Sequence, residues 1–163
     1  MRCTTSISRF SCICFLLTFA FFNVTNSYVL AKEYASTVRD GINLRSGPGK
    51  NFDIVSEIGS GFPFEIVGKE KNWIKVKDFE NDEGWVYKTF ITTEKRVIVN
   101  VNKNSDDPVN LRKDPQAKSP IIGKAHYGVV FKLLQVKDGW AEVQHDSGLR
   151  GWMRTSLLWG AGI

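Results

Sequence analysis

Apolar residues in this chain alternate with polar ones over short runs broken by Gly, Pro, Asn and Asp, a pattern that predicts strands and turns rather than helices. Helical spacing is hard to find anywhere between Tyr34 and Leu158. In Ile42-Asn43-Leu44-Arg45, Ile42 and Leu44 point one way and Asn43 and Arg45 the other, because side chains alternate along a strand. Residues 46–51 (Ser-Gly-Pro-Gly-Lys-Asn) make a loop, residues 54–58 the next strand, and Gly59-Ser60-Gly61 a tight turn. A longer strand follows with Phe62, Phe64 and Ile66 on one face. Trp73-Ile74-Lys75-Val76-Lys77 and Gly84-Trp85-Val86-Tyr87 flank a polar hairpin loop, and Lys88-Thr89-Phe90-Ile91 closes the set. A further strand over residues 34–38 can open it.

The set occurs twice. Asn43-Leu44-Arg45 returns as Asn110-Leu111-Arg112, and the same offset of 67 carries Gly61 onto Gly128, Phe64 onto Phe131, Trp73 onto Trp140, Val76 onto Val143 and Gly84-Trp85 onto Gly151-Trp152. Lysines 75 and 77 make one side of their strand the outer one, so Ile74, Val76 and Val86 face inward and Trp73, Trp85 and Tyr87 outward. The second copy repeats this, with Ala141, Val143 and Met153 inward and Trp140, Trp152 and Arg154 outward. Each unit has only about 60 residues, a size at which burial is marginal. The two are therefore expected to pack on each other, using some of the outward tryptophans and the apolar Leu157-Leu158-Trp159. The short charged stretch Thr92-Thr93-Glu94-Lys95-Arg96 links them.

The N-terminus differs in kind. Arg2 and Arg9 precede an apolar run over residues 10–22, no acid occurs before Glu33, and Asn23, Thr25, Asn26 and Ser27 interrupt the run short of a membrane span. This is the pattern of a secretory signal, with cleavage after Ala31 (Val29 and Ala31 at the small-residue positions) or after Ser27, and with an uncleaved anchor as the alternative. The resulting division is a signal at residues 1–31, a first unit at 32–92 and a second at 93–163. Cys3, Cys12 and Cys14 all lie in the signal, so the mature chain would fold without disulfides, which leans towards a bacterial envelope. Neither Cys12 nor Cys14 has the small-residue approach of a lipoprotein site. Loss of Arg2 and Arg9 with the signal takes the formal charge from +5 to +3. Acids and bases balance between Lys32 and Arg96, whereas bases are in excess from Val97 onward, scattered among acids as on an ordinary solvated surface.

Short strands, Asn43-Leu44-Arg45-Ser46-Gly47-Pro48-Gly49, a mid-unit Trp73 and Gly84-Trp85-Val86 resemble the bacterial SH3-like domain, a small partly open β-barrel. The resemblance covers both units. The second departs from it, with Lys113-Asp114-Pro115-Gln116 at the loop and Met153 in place of Val86. Its ending, Gly151-Trp152-Met153 and then Leu157-Leu158-Trp159-Gly160, resembles the exported family of paired bacterial SH3-like domains. That resemblance implies an all-β pair of tandem barrels after a signal, and a non-catalytic envelope protein whose relatives are joined to cell-wall hydrolases and bind peptidoglycan.

Candidate chemistry is sparse. A mature chain without cysteine excludes the Cys-His peptidases often coupled to the family. His126 falls in a turn and His145 in a hairpin loop, neither in a metal-ligand spacing, and the acidic Asp78, Glu80, Asp82 and Glu83 lack the calcium-loop pattern. No cofactor or metal and no enzymatic activity are expected. The expected activity is binding, with Trp73, Trp85, Tyr87, Trp140 and Trp152 as flat apolar faces and Asn43, Arg45 and Arg154 as polar groups that orient a cell-wall glycan or stem peptide. Residues shared by the copies are explained by turns and core, so differences such as Tyr87 against Arg154 and Gly47 against Asp114 mark better places to look. The alternative is a structural module that docks an envelope protein at a strand edge. Single-stranded nucleic acid, which would need aromatics interleaved with a basic stripe, is disfavoured by the secretory pattern and the modest charge.

Overall fold

A computed structural model describes residues 32–161 of the chain; the signal expected at residues 1–31 lies outside them. The first sheet has β1 (Glu33–Thr37), β2 (Ile42–Arg45), β3 (Ile54–Ile58), β4 (Pro63–Glu70), β5 (Trp73–Lys77), β6 (Glu83–Tyr87) and β7 (Ile91–Thr92). The second has β8 (Arg96–Val99), β9 (Val109–Arg112), β10 (Ile121–Ala125), β11 (Val130–Lys137), β12 (Trp140–Gln144), β13 (Arg150–Arg154) and β14 (Leu158–Trp159). Single 3-10 turns at Lys88–Phe90 and Thr155–Leu157 precede β7 and β14. The expected all-β fold is present, and the two sheets have the same antiparallel order, β3-β2-β6-β5-β4-β1-β7 and β10-β9-β13-β12-β11-β8-β14.

Each sheet wraps its own core. Ile42, Leu44, Phe64, Ile74, Val76 and Val86 form the first, with Phe62, Ile66 and Phe90 packed against it. Val97, Val99, Val109, Leu111, Phe131, Ala141, Val143, Met153 and Leu158 form most of the second. The inward assignments from strand alternation therefore hold at Ile74, Val76, Val86, Ala141, Val143 and Met153. Both long strands carry an irregularity at the same place, between Ile66 and Gly68 in β4 and between Leu133 and Gln135 in β11, and such bulges bend a strand enough to curl a short sheet.

The repeated Gly-Trp is explained by close approach. A Cβ on Gly84 would stand 2.4 Å from Leu44 Cγ, and one on Gly151 would stand 2.8 Å from Leu111 Cγ and 2.7 Å from the Arg112 carbonyl oxygen. Only glycine lets β6 and β13 reach β2 and β9 at that distance.

The units do pack together, but mostly through other residues than the outward tryptophans. Tyr34 meets Trp159 edge-on at 5.3 Å, and Phe62, Phe79 and Tyr127 form a chain of rings 5.9 and 5.4 Å apart. Tyr127 donates its hydroxyl to Glu80, which also pairs with Lys103. Lys103 and then Tyr127 hold the Glu80 carboxyl below the usual range, while burial and the Glu80 carboxylate push the Tyr127 phenol up. The acidic loop is thus built into the seam. Arg96 lies over Gly61, where a Cβ would fall 2.7 Å from Nη1, and binds Asp146 and Glu94 at 2.9 and 3.1 Å. Gly128, its counterpart in the other unit, faces open space, so the shared positive φ at the two glycines reflects the turn and only Gly61 has the added packing role.

Candidate functional site

On the outer face of the first sheet, β5 and β6 bring Trp73 opposite Tyr87, their rings 5.4 Å apart and nearly perpendicular. The 3-10 turn after β6 continues the row, with Phe90 6.2 Å from Tyr87 and the Arg39 guanidinium 4.8 Å from the Phe90 ring centre. These groups line a groove of about 380 Å³ together with Gly41, Asn43, Arg45, Lys50 and Thr89. Edge-to-face rings of this kind fix one another while leaving a face free for a flat or apolar ligand group.

The opposite wall comes from the loop after β2. Arg45 donates from Nη1 to the Lys50 and Phe52 carbonyl oxygens at 3.1 and 2.7 Å, and Ser46 N–H bonds the Asp53 carbonyl oxygen at 3.0 Å. The Phe52 ring lies over Gly47, where a Cβ would come within 2.3 Å of it. The second loop solves the same problem with other chemistry. Ser119 stands where Phe52 does, its hydroxyl donates to Asp114 Oδ2 at 3.0 Å and accepts from Asp114 N–H at 2.9 Å, and Arg112 donates to the Ser119 carbonyl oxygen at 2.8 Å. The loss of Gly-Pro-Gly in the second unit is therefore coupled to the loss of Phe52. Arg45 and Arg112 share a loop-holding role, which adds to the ligand-orienting role expected of Arg45.

A groove of about 260 Å³ occupies the same place in the second unit, lined by Pro108, Val109, Asn110, Arg112, Ala117, Trp140, Arg154 and Leu157. Here the expected exposed face is lost. Trp140 does lie opposite the core, but it is 5% exposed, because the Arg154 guanidinium sits 4.3 Å from its ring centre. Tyr87, which stands edge-on, is replaced by a planar cation that lies over the ring and buries it, while Arg154 itself stays exposed to solvent. Arg154 is a cover on this groove.

Trp85 and Trp152 are half-buried on the outer face but outside the lining of either groove; Trp85 pairs with Lys75 and Arg45, and Trp152 with Glu142 and Arg112. Of the eight expected site residues the structure brings Asn43, Arg45, Trp73 and Tyr87 together in one groove and Trp140 and Arg154 in the other. Sequence reasoning missed Arg39, Lys50 and Phe90. A signal for them existed, since all three differ between the copies at the same offset, as Asp106, Ala117 and Leu157.

Among the described residues no group of three or more His, Cys, Asp or Glu side chains is placed to hold a metal ion. His145 Nδ1 lies 2.9 Å from the Ser147 hydroxyl, but Ser147 N–H also approaches that nitrogen at 3.2 Å, which is the bonding of a tight turn. The adjacent Asp146 carboxylate goes to Arg96.

Residues 40–92 match a family model described as a bacterial SH3 domain, and residues 105–160 match a second with the same description. The chain is a tandem bacterial SH3 domain protein. It is 26% identical over 156 residues to YrvJ of Bacillus subtilis (strain 168), assigned as an N-acetylmuramoyl-L-alanine amidase, in a match that covers 92% of this chain and 30% of that protein. The chain thus spans about a third of this relative's length. Among solved structures, NlpC2 from Trichomonas vaginalis aligns at 16% identity with a TM-score of 0.33, over 78% of this chain and 48% of that one. An NlpC/P60 family protein from Bacillus cereus ATCC 10987 aligns at 15% identity with a TM-score of 0.35, over 77% of this chain and 55% of the other.

Proposed function

We propose that this tandem SH3 protein is an exported, non-catalytic binding module of the bacterial periplasm or cell envelope that recognises peptidoglycan, glycan or stem peptide, through the groove of its first unit. The observation that carries this is the row Trp73, Tyr87 and Phe90 facing Asn43, Arg45 and Lys50 across about 380 Å³. An apolar wall with a few polar groups opposite is the usual composition of a small-molecule or peptide site. The likeness to part of a cell-wall amidase homologue supports the choice of ligand, and the secretory pattern at residues 1–31 supports the compartment.

The expected result in a pelleting assay with purified peptidoglycan sacculi is that the protein sediments, that Trp73→Ala loses most of that sedimentation, and that Trp85→Ala keeps it, both variants having a verified fold. Equal retention by Trp73→Ala would sink the assignment of the groove. Equal loss by both would place the ligand on the broader outer face.

A second reading is favoured by a separate observation. Edge strand β3 leaves Ile54 and Val55 each 55% exposed, and edge strand β10 leaves Ile121 49% exposed, so an envelope protein can add a strand at either edge. Crosslinked protein partners that persist after wall digestion would support that reading over wall binding.

A further inference from the structure

We infer that the first-unit groove takes its ligand by a free carboxylate, so that it selects wall peptides with an open acid end over those whose carboxyl is amidated or crosslinked; this rests on the wall-binding reading above. Acids and bases balance between Lys32 and Arg96, yet the lining of the groove collects Arg39, Arg45 and Lys50 and no acid. None of the three has a carboxylate within 4.0 Å among the described residues; Lys32, Lys69, Lys75 and Lys77 of the same unit do, while Lys71 and Lys88, outside the groove, do not.

The bonds these cations do make leave donors over. Among the described residues Arg39 bonds only the Asp40 carbonyl oxygen, at 3.4 Å, and lies over Phe90, while Arg45 uses a single nitrogen on its loop. A guanidinium presents five N–H donors in a planar fork that matches a carboxylate. The acids near the groove are directed elsewhere or sit at its margin. Asp40 Oδ1 accepts from Ser60 N–H at 2.7 Å, and Glu57, which faces Asn43 across β2 and β3, reaches only the rim, 3.9 Å from where a side chain on Gly41 would begin. A groove with one aromatic wall and three uncompensated cations suits a short peptide whose apolar side group lies on Trp73 or Tyr87 and whose terminal carboxylate turns to Arg39 and Lys50. The second groove also lacks an acid in its lining, but Arg154 is already stacked on Trp140 and the face is covered.

The test is a titration of the purified protein with N-acetyl-D-alanyl-D-alanine, with its C-terminal amide and with inorganic phosphate, run beside the sacculus assay. The acid is expected to bind about tenfold more tightly than the amide at low salt, as charge-assisted hydrogen bonds are stronger than neutral ones. The preference should vanish in an Arg39→Gln, Lys50→Gln double variant and grow in Glu57→Gln, each with an unchanged thermal midpoint. Equal binding of acid and amide overturns the inference, and if Trp73→Ala still abolishes pelleting the wall-binding reading stands without it. Phosphate that competes as well as the acid overturns the carboxylate assignment in favour of a general anion site. Binding of neither peptide also overturns it, and only if sacculi fail to pellet the protein does the functional reading fall as well.

Discussion

Trp140→Ala is expected to lower the unfolding free energy by about 3 to 5 kcal/mol, the range for removing a large buried aromatic side chain, and Trp73→Ala by clearly less. The two tryptophans hold the same position in the two copies, one residue outside the core on the strand that precedes the last hairpin. Position alone would give them equal costs. What separates them is the neighbour across the hairpin: Arg154 covers Trp140 and leaves it 5% exposed, while Tyr87 stands edge-on to Trp73 and leaves it half-buried. Removing Trp140 also strips Arg154 of its stacking partner and opens the space between Arg112 and Leu157. Since whole domains are stable by only about 5 to 15 kcal/mol, the second barrel would be left marginal. Urea unfolding of the two variants beside wild type measures this, and a loss for Trp140→Ala no greater than for Trp73→Ala would show that the cover does not bury it in solution.

Gly47→Asp is expected to cost about 1 to 3 kcal/mol, the range for overpacking, and most of that loss should be recovered when Phe52→Ser is added. The reason is the loop exchange between copies. Phe52 fills the space above Gly47 in the first unit, and Ser119 bonds Asp114 in the second, so either pair is consistent and the mixed pair is not. Residues in contact through one packed loop couple in this way. A double-mutant cycle in urea reads the coupling directly. Additive losses would mean that the loop relaxes around an aspartate with Phe52 in place. The same loop carries Lys50 and is held by Arg45 at the end of β2, so Gly47→Asp should weaken sacculus binding more than its stability cost explains.

The repeat, the strands and the inward residues were legible because each rests on periodicity, and periodicity survives in a sequence without its three-dimensional context. Gly84-Trp85 and Gly151-Trp152 announced a shared local need, although its cause, the approach of Leu44 and Leu111, appears only when β2 and β9 are set beside their neighbours. Alternation told which side of the strand Trp140 occupies and nothing of what lies on it, since the Arg154 cover depends on register across the hairpin. For Trp85 the same limit applied, as the outer face is wider than the groove. The bulge between Ile66 and Gly68 is marked in the sequence by its glycine alone and the one between Leu133 and Gln135 by nothing, and so the curl of the sheets had to be seen. Arg39, Lys50 and Phe90 sit on a bend, a loop and a 3-10 turn, where no alternation assigns a face. Their divergence from Asp106, Ala117 and Leu157 was the available clue.

Ligand is expected to enter the first-unit groove and to leave the second alone. Backbone and indole chemical shifts of isotope-labelled protein, followed during titration with soluble muropeptides from a wall digest, report where it binds. Perturbations are expected to be confined to Arg39, Asn43, Arg45, Lys50, Tyr87, Thr89, Phe90 and the Trp73 indole, with Asn110, Trp140 and Arg154 unmoved. Shifts centred on β3 or β10, or equal shifts in both units, would contradict this.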